Sequence, residues 1–270
     1  MHEAEAVGRN GLAEIVLRTQ SMLALDPYRV NAATGRFMLV DNFAVVGGVT
    51  SIEGFADERA MLMDRPGGRF VVEHRVTTEA RAARAGHRGA VFWLTGLSAA
   101  GKSTIAIEAE NRLFHLGFQV YVLDGDNIRR GLAADLGFSH EDRTENIRRA
   151  GEVAALFAEA GFIVISAFIS PYHEDRAAAR AAAGEGSFHE VYVKASLETC
   201  EKRDPKGLYR RARAGEIEDF TGISAPYEEP EHSELVIDTE KLTPEEAVDA
   251  FVDYCRQAVS VERGQSETGG

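Results

Sequence analysis

Gly96-Leu97-Ser98-Ala99-Ala100-Gly101-Lys102-Ser103-Thr104 follows an apolar run over 90–95 and opens a helical pattern. A strand, a glycine-rich loop with this spacing and a helix together form the context of a phosphate-binding loop. Gly96 and Gly101 let the backbone wrap closely around a polyphosphate, whose charge meets the loop N–H groups and the N-terminus of the following helix. Lys102 brings a full positive charge to the β- and γ-phosphates, and the Ser103 hydroxyl is the expected Mg²⁺ ligand. A glycine turn with a solvated lysine would not need the full spacing. Residues 96–104 therefore read as a nucleoside triphosphate site.

Outward from this loop, strand and helix alternate from Gly89 onward. Short apolar runs at 91–95, 119–123, 162–166, 190–193 and 235–237 predict strands buried on both faces of a parallel sheet. The helix after the loop carries Ile105, Ala109, Leu113 and Leu116 on one face and stops at Gly117. The next carries Ile147, Ala150, Ala154 and Phe157 and stops at Gly161. A last helix opens on Thr243-Pro244-Glu245-Glu246, a capping box with proline in the first turn, and runs toward Ala258. Right-handed crossovers put all the strand carboxyl ends on one edge, where such a sheet binds ligands.

Upstream of Gly89 the character changes. Runs at 13–18, 37–41 and 44–52 are short and rich in β-branched residues, and predict a small β unit too short to close a barrel alone. The charged, glycine-containing stretch 56–88, with Arg65-Pro66-Gly67-Gly68 and an Ala- and Arg-rich run over 79–88, reads as a partly helical linker. Residues 259–270 read as a frayed polar tail.

The net charge of −13 argues against general binding to nucleic acid or an anionic membrane, because a phosphate-backbone binder needs a broad excess of Lys and Arg. The longest apolar runs fall far short of a membrane span, and the acidic start carries no leader pattern, so the expected location is cytoplasmic. Cys200 and Cys255, the only cysteines, form neither a metal cluster nor a disulfide framework and are expected as buried or half-buried thiols.

The residues just past the strands are the site candidates. Asp124 and Asp126, separated by Gly125 and followed by Asn127-Ile128-Arg129, can divide two tasks, one holding Mg²⁺ and one orienting or deprotonating an acceptor hydroxyl. Arg143 and Asn146 are three apart at a helix start and can both face an anionic acceptor. Phe138 either stacks on a base or plugs the core. Ser170, in Phe168-Ile169-Ser170-Pro171-Tyr172, could bind or accept phosphate, although a serine before proline is more often a turn residue. The basic stretch Arg203-Asp204-Pro205-Lys206-Gly207-Leu208-Tyr209-Arg210-Arg211, leading into Phe220-Thr221-Gly222-Ile223-Ser224-Ala225-Pro226-Tyr227, suits a lid that closes on phosphates.

Together these stretches resemble the adenylylsulfate kinase family from about Gly89 to Ala258. The resemblance implies an α/β P-loop kinase fold with a five-stranded, mainly parallel sheet flanked by helices. It also implies transfer of phosphate from Mg-ATP to the 3′-hydroxyl of adenylyl sulfate. It places Asp126, Arg129, Phe138, Arg143, Asn146, Ile169, Lys206 and Phe220 around adenylyl sulfate, with Phe138 and Phe220 on opposite faces of the adenine. It associates Asp124 and Ser103 with the metal, and makes Lys102, Asp124, Asp126 and Ser170 the catalytic set, with Ser170 matching a phosphoserine position of bacterial members. It further suggests a homodimer.

Residues 1–55 are similar to something else, the third, β-barrel domain of the GTP-dependent large subunit of sulfate adenylyltransferase. Leu17-Arg18-Thr19-Gln20, Asp26-Pro27-Tyr28 and the stretch 31–39 carry that likeness. The chain then reads as the kinase end of a fusion, without GTPase activity and with sulfate adenylyltransferase subunits as partners. The alternatives are a kinase of another small acceptor, or a noncatalytic docking module, which would have no chemical need for Lys102, Ser103, Asp124 and Asp126 together.

Overall fold

The computed structural model describes residues 36–41, 44–50, 75–184 and 186–261. The chain divides into two compact units, Met1–Val72 and Glu73–Gly270. In the first, β1 (Arg36–Asp41) pairs antiparallel with β2 (Ala44–Thr50), with an irregularity between Leu39 and Val40. The expected strand at 13–18 lies outside the described residues.

The second unit is built on β3 (Ala90–Thr95), whose six residues are all buried. Alternation along an extended strand sends Phe92 and Leu94 to one face of the sheet and Val91 and Trp93 to the other, so the strand needs apolar cover on both sides. One cover comes from α2 (Lys102–His115) and α8 (Pro244–Ala258), through Ile105, Ala109, Leu113, Val248 and Phe251. The other comes from α4 (His140–Glu159) and α5 (His173–Ala183), through Ile147, Ala150, Ala154 and Ala179. A Cβ at Gly151 would lie 3.0 Å from the Ala179 Cα, so glycine is what lets α4 and α5 approach so closely.

Around β3 the strands β4 (Val120–Asp124), β5 (Ile163–Ala167), β6 (Phe188–Lys194) and β7 (Leu235–Asp238) complete a parallel sheet of order β4-β5-β3-β6-β7. Each expected strand forms, within one or two residues of its predicted limits. The capping box also forms: Thr243 Oγ1 accepts from the Glu246 N–H, and the Glu246 carboxylate accepts from the Thr243 N–H. Both cysteines are buried free thiols.

Three expectations need correction. Leu116 does not belong to the apolar face of α2; it is the exposed C-cap, because the helix ends at His115 and Gly117 turns the chain at φ 89°. The part of the supposed linker from Glu73 onward belongs to the second unit. There α1 (Thr78–Ala85) is N-capped by Thr77, buries Ala82, and is followed by Arg88, whose guanidinium donates to the Ser260 carbonyl. The supposed tail likewise starts too early, since Val259 is fully buried and its carbonyl accepts from the Arg88 N–H. The runs Gly125–Ile128 (α3), Leu197–Arg203 (α6) and Leu208–Arg213 (α7) are short helices that no apolar periodicity signals.

Candidate active site

The loop after β3 adopts backbone angles that its sequence permits. Gly96 and Gly101 have φ of 150° and 111°, and Ala99 lies in the left-handed region at 61°. A Cβ at Gly96 would fall 2.4 Å from the Val193 carbonyl oxygen, so only glycine lets the loop leave β3 this close to β6. The loop is supported from the end of β7: Thr239 Oγ1 donates to the Ala100 carbonyl at 3.0 Å, and Arg203 donates to Thr239 Oγ1 and to the Thr239 carbonyl at 2.9 and 2.7 Å.

Lys102 is 8% exposed, and its ammonium donates to the Gly96 and Leu97 carbonyls, each at 2.7 Å. Burial pushes its pKa down to about 8, with Asp124 among the groups pulling the other way. A bound polyphosphate stabilises the protonated form and reverses that shift. Between the two values the unliganded loop carries less proton than the nucleotide complex, so binding takes up a proton as pH rises past about 8. Calorimetry in two buffers of different ionisation heat is expected to show clearly more proton uptake at pH 9 than at pH 6.5. Equal, near-zero uptake at both values would show that Lys102 keeps an ordinary pKa.

Next to it, Ser103 Oγ donates to Asp124 Oδ2 at 2.8 Å, bringing together the two expected metal ligands. Two small oxygen donors beside a phosphate loop fit a hard cation that keeps most of its waters and takes phosphate oxygens for the rest. Asp124 also caps α3 by accepting from the Asp126 N–H at 3.0 Å, which fixes one aspartate relative to the other. The Asp126 carboxylate pairs with Lys206 from the segment between α6 and α7. Both partners are largely exposed, and such a pair contributes only about 0–1 kcal/mol, so it opens easily.

Arg143 draws the remaining segments together. Its guanidinium donates to the Phe138 carbonyl at 2.9 Å, to Thr221 Oγ1 at 2.7 Å and to the Asp219 carbonyl. Stretches 76 to 78 residues apart in the chain are thereby joined. The Phe138 ring is 65% exposed, which rules out the core-plug alternative; the Arg129 guanidinium lies 4.4 Å from its centroid. Phe220 differs: it is buried, edge-on to Tyr209 with centroids 5.0 Å apart. Asn146 is buried and its Oδ1 has no hydrogen-bond partner, which leaves an acceptor available to a ligand donor. The Ile169 carbonyl accepts from Thr95 Oγ1 at 2.7 Å.

Ser170, the expected phosphate contact, is buried on the turn after β5. It is 2% exposed, and its Oγ accepts from the Trp93 indole N–H at 3.0 Å within the core under α4 and α5. Its φ of 39° is unusual for a residue other than glycine. A cavity of about 520 Å³ lies between Leu97, Tyr192 and Leu197 on one side and Gly222, Ile223 and Tyr227 on the other. It adjoins the phosphate loop through Leu97, whose carbonyl holds Lys102, while Lys102, Ser103, Asp124 and Asp126 themselves lie outside its lining. The supporting residues Trp93, Thr95, Arg176 and Thr239 carry no motif, and only the folded chain shows their part.

Residues 88–238 match the family described as adenylylsulphate kinase. An adenylyl-sulfate kinase of Shewanella amazonensis is 58% identical over 182 residues, covering 67% of this chain and 92% of the relative. One from Staphylococcus epidermidis is 55% identical over 185 residues, covering 68% and 93%. The Mycobacterium tuberculosis APS kinase, solved in complex with AMPPNP and APS, superposes with a TM-score of 0.58 at 49% identity, over 61% of this chain and 96% of that one. With its phosphate loop, paired aspartates and arginine-joined segments on one sheet edge, the chain belongs to the adenylylsulfate kinase family.

Proposed function

We propose that the chain transfers the γ-phosphoryl group of ATP to the 3′-hydroxyl of adenylyl sulfate, giving 3′-phosphoadenylyl sulfate and ADP. The observation that carries this reading is the meeting, at the carboxyl edge of one sheet, of the Lys102 loop with Asp124, Asp126 and the segments joined by Arg143.

In this reading the loop amides and Lys102 hold the polyphosphate, and Ser103 and Asp124 would hold Mg²⁺, which would supply charge neutralisation at the transferring phosphate. Asp126 releases Lys206, accepts the proton of the acceptor hydroxyl and aligns its oxygen for in-line attack on the γ-phosphorus. The new P–O bond forms as the bond from that phosphorus to the β–γ bridging oxygen breaks, and ADP leaves with the bond's electron pair. Lys206, Arg129 and Arg143 meet the acceptor's phosphate and sulfate charge, while Asn146 Oδ1 accepts from one of its donors. Phe138 covers one face of the adenine. Phe220, at the head of the segment 220–227 that Arg143 holds through Thr221, covers the other. Ile169 borders the acceptor through its backbone. Ser170 contributes by shaping that backbone, and turnover needs no phosphoserine.

We extend the proposal to partners and place. Residues 1–55, similar to part of a sulfate adenylyltransferase large subunit, dock on sulfate adenylyltransferase, the kinase unit pairs as a homodimer, and the free thiols Cys200 and Cys255 suit a reducing cytoplasm. Among the described residues no helix is long and apolar enough to cross a membrane. The test of the reaction is ADP release from Mg-ATP with adenylyl sulfate beside AMP, with products identified by mass. Phosphorylated adenylyl sulfate formed with the first acceptor alone supports the reading, and equal turnover with AMP overturns it.

A further inference from the structure

Arg176, on α5, is 2% exposed and spends its guanidinium on four partners. Nη1 donates to the Ser170 carbonyl at 2.8 Å, and Nη2 donates to the Glu228 carbonyl at 2.9 Å and to His173 Nδ1 at 2.8 Å. Nε donates to Glu190 Oε1 at 2.6 Å, which compensates the buried charge. Ser170 lies on the turn that leaves β5, and Glu228 follows the segment 220–227, so one planar fork ties together two stretches that are remote in sequence.

The same two stretches are also sewn together directly. The Glu228 N–H donates to the Pro171 carbonyl at 2.8 Å, and the His173 N–H donates to Glu228 Oε2 at 2.6 Å. Thr95, the last residue of β3, donates its single hydroxyl proton to the Ile169 carbonyl at 2.7 Å. The Tyr227 hydroxyl, 3.0 Å from Thr95 Oγ1, must then be the donor in that contact. Trp93 and Glu190 are register partners on β3 and β6, so the indole that holds Ser170 Oγ and the carboxylate that holds Arg176 stand side by side on one face of the sheet. Ser170 is thus held at its hydroxyl by Trp93 and at its carbonyl by Arg176, which is how a non-glycine residue stays at φ 39°.

We propose that Arg176 is a positioning residue for the acceptor, holding the Ile169–Ser170 turn and the 220–228 segment at a fixed separation so that acceptor contacts from both form together. The inference rests on the adenylyl sulfate reading above. It assigns Arg176 no contact with substrate or nucleotide.

The test compares wild type with Arg176→Met, Arg176→Lys and Glu228→Ala, measuring KM for adenylyl sulfate, KM for ATP, kcat and the thermal midpoint. Arg176→Met is expected to raise KM for adenylyl sulfate by about 10- to 100-fold with KM for ATP within about twofold, since misplacing a binding group by about 1 Å has costs of this size. Arg176→Lys restores part of the loss through its charge and one donor. Glu228→Ala removes the bond to the His173 N–H without emptying a buried site, and is expected to raise the acceptor KM about threefold to tenfold. It decides the matter if the Arg176 variants do not fold. A lowered thermal midpoint with both KM values unchanged, or equal increases in both, would reduce Arg176 to a fold-stabilising residue and overturn the inference. Failure of wild type to prefer adenylyl sulfate over AMP is a different result and overturns the reaction assignment instead.

Discussion

Replacing Lys102 with alanine is expected to lower kcat/KM for phosphoryl transfer by about 1,000-fold or more, the size typical of losing a charge aimed at the transferring phosphoryl group. Three features converge on this residue. It sits at the start of α2, where loop and helix N-terminus already favour an anion. Its ammonium rests on two carbonyls of its own loop, within reach of any phosphate that the loop encloses. Among the described residues it is also the one buried ammonium beside the Ser103–Asp124 pair. Truncation removes a desolvated charge as well as two hydrogen bonds, so the thermal midpoint is expected to move by no more than about 4 °C. Single-turnover ADP release beside a melting curve separates the two effects, and a folded variant retaining more than about a tenth of wild-type rate would remove Lys102 from the mechanism.

Asp126→Asn is expected to lower kcat by about 10²- to 10⁴-fold, the range attributed to a positioned general base. The acceptor KM should change only a few-fold, because the amide keeps the shape and one acceptor oxygen. Loss of the exposed Lys206 partner contributes little to stability. Asp124→Asn is the informative companion, since its defect should be partly relieved by raised Mg²⁺ whereas that of Asp126→Asn should not. If the two variants respond alike to Mg²⁺, the division of labour between these carboxylates is wrong.

The phosphate loop, the five strands and the capping box of α8 were legible because each rests on local spacing. Strand neighbours were not, because an apolar run such as 162–166 says that a strand is buried but not that it lies between β3 and β4. Leu116 was misread because helical periodicity continues on paper past the residue where the backbone actually turns. Phe138 stayed undecided in the sequence because an aromatic residue carries no mark of exposure, and only the fold shows its ring in the open under Arg129. Ser170 was read from its place after a strand. The structure instead directs its hydroxyl toward Trp93, 77 positions away, a pairing that no local pattern encodes. Arg176 was passed over for the same reason: within an Ala- and Arg-rich helix it looks like any solvated arginine, and its role depends on partners brought from β6 and from the approach to β7.

The charged groups of the phosphate site all have partners within the protein: Lys102 with loop carbonyls, Ser103 with Asp124, and Asp126 with Lys206. A ligand that engages these side chains therefore exchanges contacts at each of them. A small anion such as inorganic sulfate that engages one of these side chains breaks its contact for a single new bond. A metal-bound nucleotide together with its acceptor replaces all three arrangements in one assembly. The side-chain contacts thus favour a ligand that engages several of these groups at once over one that engages a single group.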